Sequence, residues 1–377
     1  MGVKCDFFTV SPHGAGLQSF LYGLHLLGLP CSPWWKLSSE GNLDAAISYI
    51  QAAKSSSTFS SRAGIAVTAK SISRPPLYAG ITIDRACYLN SKIETTQPNN
   101  TPVFWLVRDP VLLLCSNINR AIGELLIENL TIDSTGFNNL PLFTTIKNTI
   151  TECLIENIEL YISYVQQLNT LASTDINKEF EVIPFDTTDI NSTCIDVIGR
   201  YFEIFRSNYI ESQFDIAHNS FENWIQGRMP PILILDGCPV YVCEAELSQF
   251  RCEMFPHLSD QIWPSIGNLT RNGKKYSLYV KKKSDYNYYV NDSSIPLSKY
   301  QEELINSVAV FESKNKLLVE NYSRIKMTPE DLLIYLKENT IYFESFCRQA
   351  TYQMEFFQKN CPGIADRWTH SRSFLSA

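Results

Sequence analysis

The chain has 377 residues, 45% of them hydrophobic and 12% aromatic, enough for one large α/β domain with an appendage or for two domains. Its net charge of −7 argues against a protein whose main business is coating nucleic acid or an anionic membrane, while leaving room for a local basic pocket. The eleven cysteines form no CxxC pair or tetrahedral ligand set; several (Cys5, Cys115, Cys153, Cys194) sit in apolar segments as small hydrophobes, which points to a reducing, cytoplasmic setting.

Residues 5–10 (CDFFTV) read as a buried strand entered without a charged leader, so no signal peptide is expected. No run of eighteen apolar residues predicts a membrane span. Residues 11–16 (SPHGAG) form a glycine-bearing loop, and the stripe Leu17, Phe20, Leu21, Leu24 and Leu27 predicts a helix over 17–29. Such a loop lets an anion approach the backbone in front of a helix N-terminus. A plain strand–helix turn relieved by glycine gives the same pattern.

The Ser/Ala-rich stretch 52–62 reads as surface loop or weak helix, and 79–83 as a short strand followed by Asp84-Arg85-Ala86-Cys87-Tyr88. The apolar run 103–107 predicts another buried strand, broken at Arg108-Asp109-Pro110. A helical pattern follows, with Ser116 eight positions past Arg108. A guanidinium and a hydroxyl at the C-terminal end of a buried strand suit a phosphate, one as a planar fork and the other as a neutral donor. The same turn also serves where an arginine merely caps a strand and the helix serine faces its own backbone.

Residues 141–172 carry an amphipathic helical pattern, 179–185 a strand and 195–204 a helix. Strands alternating with helices predict a mainly parallel sheet flanked by helices. Beyond about 205 the rhythm changes. Two short β runs in 230–242 surround Asp236-Gly237 as a hairpin, and 276–280 is a further strand. The basic run 271–283 (RNGKKYSLYVKKK) reads more readily as a solvated hairpin than as an anion cover. From 298 to 359 the sequence is almost wholly helical, with Lys/Glu pairs at helical spacing.

The strand–loop–helix at 5–29, the turn at 84–88 and the strand–Arg–helix at 103–120 together resemble the nucleotide-binding half of the sulfotransferases. That family has a P-loop-type fold and binds 3′-phosphoadenosine-5′-phosphosulfate (PAPS). Its first loop, Pro-Lys/Arg-Ser-Gly-Thr-Thr, wraps the 5′-phosphosulfate; a later strand ends in Arg-Asp/Glu-Pro, with a serine eight residues on, to hold the 3′-phosphate. Arg108-Asp109-Pro110 and Ser116 match that second element in type and spacing. Arg85-Ala86-Cys87-Tyr88 stands where membrane-type and heparan-type members carry Lys-Ser/Thr-Pro/Ala-x-Tyr, and 180–186 resembles the family's strand leading to an acidic turn. The resemblance covers about residues 5–205. It implies a sulfotransferase-like α/β domain over 1–290 and a helical C-terminal extension over 291–377.

The first loop departs from the family pattern: it has His13 where Lys or Arg is usual, and no Thr-Thr pair. By resemblance, Ser11, His13, Gly14, Ala15, Gly16, Leu17, Gln18 and Ser19, with Arg108 and Ser116, hold PAPS, and no metal is expected. Sulfuryl transfer is an in-line displacement that needs a base for the acceptor hydroxyl and positive groups for charge on the bridging oxygen. Glu40 lies where one branch of the family keeps its base, although a solvated loop carboxylate reads the same way. Arg85 is the cation for the leaving phosphate, and His13 serves as a neutral donor or a pH-sensitive cation. The implied partner is a hydroxyl acceptor, by default a glycan, and not nucleic acid. Two alternatives stay open. One is a non-catalytic sulfotransferase-like binding or interaction protein, favoured by the missing loop cation. The other is a small-molecule P-loop kinase, which needs a lysine and a Mg²⁺-holding hydroxyl where Leu17 and Gln18 stand.

Overall fold

The computed structural model describes residues 6–12, 14–17, 20, 24, 29, 31–32, 58–63, 66–71, 80–83, 101–128, 143–160, 180–188, 233–235, 238–244, 265–280 and 300–376. Among the described residues, the strands of its first half are β1 (Phe7–Val10), β2 (Cys31–Ser32), β3 (Thr58–Ala63), β4 (Ala66–Ser71), β5 (Gly80–Ile83), β6 (Thr101–Val107) and β7 (Phe180–Asp186). Five of them form a parallel sheet in the order β2-β5-β1-β6-β7. Every residue of β1 is buried, as expected of a parallel strand covered on both faces. Its register sets Phe7 opposite Gly80 and Phe8 opposite Val103. The Phe7 ring lies where a Cβ on Gly80 would stand, so only glycine fits there.

Alternation along β6 turns successive side chains to opposite faces. Phe104 meets Phe20, from the helix after β1, at 6.0 Å between ring centroids. Trp105 instead meets Phe357 at 5.4 Å on the other face. Helices therefore cover both faces, and the fold is α/β. After β6 comes α1 (Pro110–Glu128), with Asp109 as its N-cap: the Asp109 Oδ1 accepts from Val111 N at 2.9 Å, and Pro110 fills the first helical position. The stretch Pro110–Ile127 is long and apolar enough to cross a membrane by length and composition. Its Val111, Leu113, Leu114, Ile118, Ile122 and Leu126 are fully buried, as in the core helix of an α/β fold. Beside it packs α2 (Phe143–Leu160).

A second sheet contains β8 (Leu233–Leu235), β9 (Cys238–Glu244), β10 (Ser265–Arg271) and β11 (Lys274–Val280), antiparallel in the order β10-β11-β9-β8. Asn272 and Gly273, with φ of 50° and 77°, turn β10 into β11, the signature of a two-residue hairpin loop. The remaining elements are α3 (Gln301–Ile325), α4 (Pro329–Glu338), α5 (Thr340–Asn360), α6 (Pro362–Ala365) and α7 (Thr369–Leu375). They pack on α1, α2 and the sheet; Phe357 also meets Trp368 at 4.8 Å, and Phe346 meets Phe374 at 5.3 Å.

One sequence expectation needs correction. Residues 58–62 are neither loop nor weak helix but part of β3, paired with β4 from Thr58↔Ser71 to Ala63↔Ala66. The small residues of TFSSRA conceal a strand whose stability comes from its partner. The basic run does hold a solvated hairpin tip, at Asn272, Gly273, Lys274 and Lys275, beside which a half-exposed Arg271 pairs with Glu312 of α3. The helix expected over 195–204 and the turn at 84–88 lie outside the described residues.

Candidate functional site

The carboxyl ends of β1 and β6 lie side by side. From β1 the chain continues to β2 on one side of the sheet, and from β6 to β7 on the other. Such a reversal leaves a crevice between the two strand ends, where open α/β sheets bind ligands. The loop at 11–16 and the Arg108-Asp109-Pro110 turn both open there. Arg108 spans between them, its Nη1 donating to the Gly14 carbonyl at 2.9 Å.

Three elements grip the loop. Gly14 and Gly16 have φ of 85° and 70°, a left-handed backbone that strains any residue with a side chain. The Asn117 amide of α1 sits against the α-carbon of Gly14, so that a Cβ there would fall 2.8 Å from Nδ2. That amide is buried and donates to Leu113 O at 3.2 Å. Thr187, just beyond β7, shares its one hydroxyl proton between Ala15 O at 2.8 Å and Val107 O at 2.9 Å. The loop closes on itself through Ala15 N to Pro12 O at 3.2 Å and starts its helix with Phe20 N to Gly16 O at 3.1 Å. The carbonyls of Gly14 and Ala15 are thus committed to Arg108 and Thr187. In a trans peptide the amide opposes the carbonyl, which turns the Gly16 N–H away from Thr187.

Two buried carboxylates brace the strand ends from the other side. Asp109, fully buried, accepts from Ser371 Oγ at 2.6 Å, Ser371 N at 3.1 Å and Val111 N at 2.9 Å. Asp186 accepts from Arg367 Nε at 2.7 Å, Thr188 N at 3.0 Å and Trp368 Nε1 at 3.4 Å. The Asp109 N–H in turn donates to Thr188 Oγ1 at 2.9 Å, linking the two turns. Buried carboxylates with several donors are tolerated as structural anchors.

The structure brings Gly14, Ala15, Gly16 and Arg108 together. Ser11 is buried, its hydroxyl donating to Pro12 O at 2.9 Å, and Leu17 is half-buried at the helix start. Ser116 is half-buried on α1; Asn117, about 100° further round the helix, is the residue that reaches the loop. His13, Gln18, Ser19, Glu40 and Arg85 lie outside the described residues. Sequence reasoning did not single out Asn117, Thr187 or Ser371. For Asn117 a signal existed: an amide three and four positions after Leu114 and Leu113, on the apolar face of its helix. Cys115, beside it, is held protonated, since burial pushes its thiol up to about 12 against the opposing pull of Arg108. Among the described residues no three His, Cys, Asp or Glu side chains converge as a metal site.

Comparison with protein-family models, curated proteins and solved structures finds no match for this chain.

Proposed function

We propose that the sheet is of the P-loop type and that the crevice between β1 and β6 binds PAPS, from which the chain transfers a sulfuryl group to an acceptor hydroxyl. The supporting observation is the meeting of Arg108 with the loop of Gly14 and Gly16 at a strand-order reversal. A nucleotide with phosphates at both ends needs one cationic and one backbone-lined pocket in a single crevice. The loop offers the second, because its carbonyls are turned to Arg108 and Thr187 and its glycines leave no Cβ in the way. In this reaction the acceptor oxygen loses its proton to a base and attacks sulfur. The sulfur–oxygen bond to the 5′-phosphate breaks, and 3′,5′-ADP leaves. Glu40 as the base, and His13 and Arg85 as donors to the transferring group and the leaving phosphate, enter this proposal from sequence alone. Arg108 and Ser116 hold the 3′-phosphate, and the acceptor is a hydroxyl of glycan type.

One observation favours a second reading, a non-catalytic fold in which Arg108 is a strut: its guanidinium already bonds the Gly14 carbonyl. Calorimetric titration of Arg108→Ala with 3′,5′-ADP and with 5′-AMP separates the two. Loss of a charge-assisted contact to the 3′-phosphate weakens 3′,5′-ADP by about 1.5–3 kcal/mol and 5′-AMP much less. Equal losses for both nucleotides would make Arg108 a strut, and absence of binding to wild-type protein would end the PAPS reading.

A further inference from the structure

The carboxylates that terminate β6 and β7 are held by one short stretch of chain far from both in sequence. Ser371 donates both its hydroxyl and its N–H to Asp109, across a separation of 262 residues. Arg367 and Trp368 donate to Asp186, across separations of 181 and 182 residues. Each carboxylate neighbours a residue that grips the loop: Asp109 follows Arg108, and Asp186 precedes Thr187. We propose that segment 367–371 is a positioning element for this crevice. It fixes the two turns that aim Arg108 at Gly14 and Thr187 at Ala15, and so sets the shape of the loop without touching it.

The energetic logic supports this role. Asp109 and Ser371 are fully buried, so Asp109 has no water to replace a lost donor, whereas the Asp186 side chain is 2% exposed beneath the half-exposed Arg367 and loses a charge-assisted partner when that guanidinium goes. Removing Ser371 Oγ or the Arg367 guanidinium leaves each carboxylate to find new donors nearby, and the adjacent turn must move to supply them. Arg367 is itself 56% exposed, so replacing it removes the contact without opening a cavity. As a positioning role for a nucleotide crevice, the inference rests on the reading proposed above; as control of loop geometry it can be measured without ligand.

The test uses the full chain with Ser371→Ala, Arg367→Met and Arg367→Lys, and Phe311→Leu as a control in α3, remote from both carboxylates. Hydrogen exchange of the peptide spanning 14–17 is followed by mass spectrometry, and 3′,5′-ADP affinity by calorimetry. Ser371→Ala and Arg367→Met are expected to speed loop exchange and to weaken 3′,5′-ADP roughly 2- to 30-fold, while Arg367→Lys keeps most of the protection. Loop exchange unchanged from wild type, or raised equally by Phe311→Leu, would overturn the positioning role. Faster loop exchange in a protein that binds no 3′,5′-ADP would keep the positioning of the loop and remove the nucleotide reading. Normal 3′,5′-ADP binding with unchanged loop exchange would do the reverse.

Discussion

Gly14 is the position where two constraints coincide, and replacing it by alanine separates them. The first is its backbone: a left-handed residue with a Cβ costs roughly 1–2 kcal/mol. The second is space. The new Cβ would lie 2.8 Å from Asn117 Nδ2, 3.0 Å from Oδ1 and 3.1 Å from Cγ. Asn117 cannot swing aside cheaply, being short, buried and bonded to Leu113 O. Overpacking of this kind adds about 1–3 kcal/mol, for a total of about 2–5 kcal/mol. Gly16→Ala carries only the backbone cost, because its Cβ would meet Thr187 Cβ at an ordinary 3.5 Å. The double-mutant cycle with Asn117→Ala isolates the overlap: in that background Gly14→Ala should cost only about 1–2 kcal/mol. Urea unfolding of the four proteins of the cycle and of Gly16→Ala, with m-values compared to confirm one transition, provides the measurement. If Gly14→Ala and Gly16→Ala cost the same, or Asn117→Ala gives no relief, the asparagine does not shape the loop and the described grip is wrong.

Gly80→Ala is expected to be at least as damaging, because its Cβ falls on the Phe7 ring between two hydrogen-bonded strands; a folded variant with an unchanged urea midpoint would contradict the β1–β5 register. Cys115 makes a prediction about alkaline pH. Its folded-state pKa is raised from 9.0 to about 12, so below 9 both states are protonated and its contribution is pH-independent. Above 9 the unfolded thiol ionises first, the unfolded state binds fewer protons, and stability falls as pH rises. Between pH 9 and 10 wild type should therefore lose about 1 kcal/mol more than Cys115→Ala. Parallel pH profiles from urea unfolding would show that the thiol is not buried as described.

Four of the five strands of the parallel sheet were legible as short runs rich in aromatic and β-branched residues that stop at turn-forming or charged residues: 5–10, 79–83, 103–107 and 179–185 against the observed β1, β5, β6 and β7; the two-residue β2 carried no such run. The strand order was not legible, since crossovers leave no local trace. β3 was misread because TFSSRA carries too few bulky residues to show a strand without its partner β4. β10 was passed over although Asn272-Gly273 announces its hairpin. The same divide runs through the site. Gly14, Gly16 and Arg108 stand out in sequence because glycines after a strand and a cation at a strand end suit an anion, although plain turns give the same pattern. Thr187 and Ser371 carry no such mark; a threonine and a serine become meaningful only through partners 172 and 262 residues away.

The Arg-Asp pair shows how one turn serves two sides of a sheet. Phe104 and Trp105 already face opposite layers, and the alternation continues through Leu106 and Val107 into Arg108 and Asp109. Arg108 therefore emerges on the side of the loop and Phe20, and Asp109 on the side of the C-terminal helices. Strand pairing sets this assignment, through Val107↔Asp186 and the rest of the β6–β7 register. Inserting one residue between Val107 and Arg108 would exchange the two faces. It would aim a carboxylate at the carbonyl-rich side of the loop and drive a guanidinium toward Ser371 and the apolar layer around Trp368 and Phe374. The Arg-Asp-Pro sequence would be kept, yet the turn would repel the anion it is proposed to hold. Residue identity gives this turn its pair of opposite charges, and strand register decides which face of the sheet each charge points to.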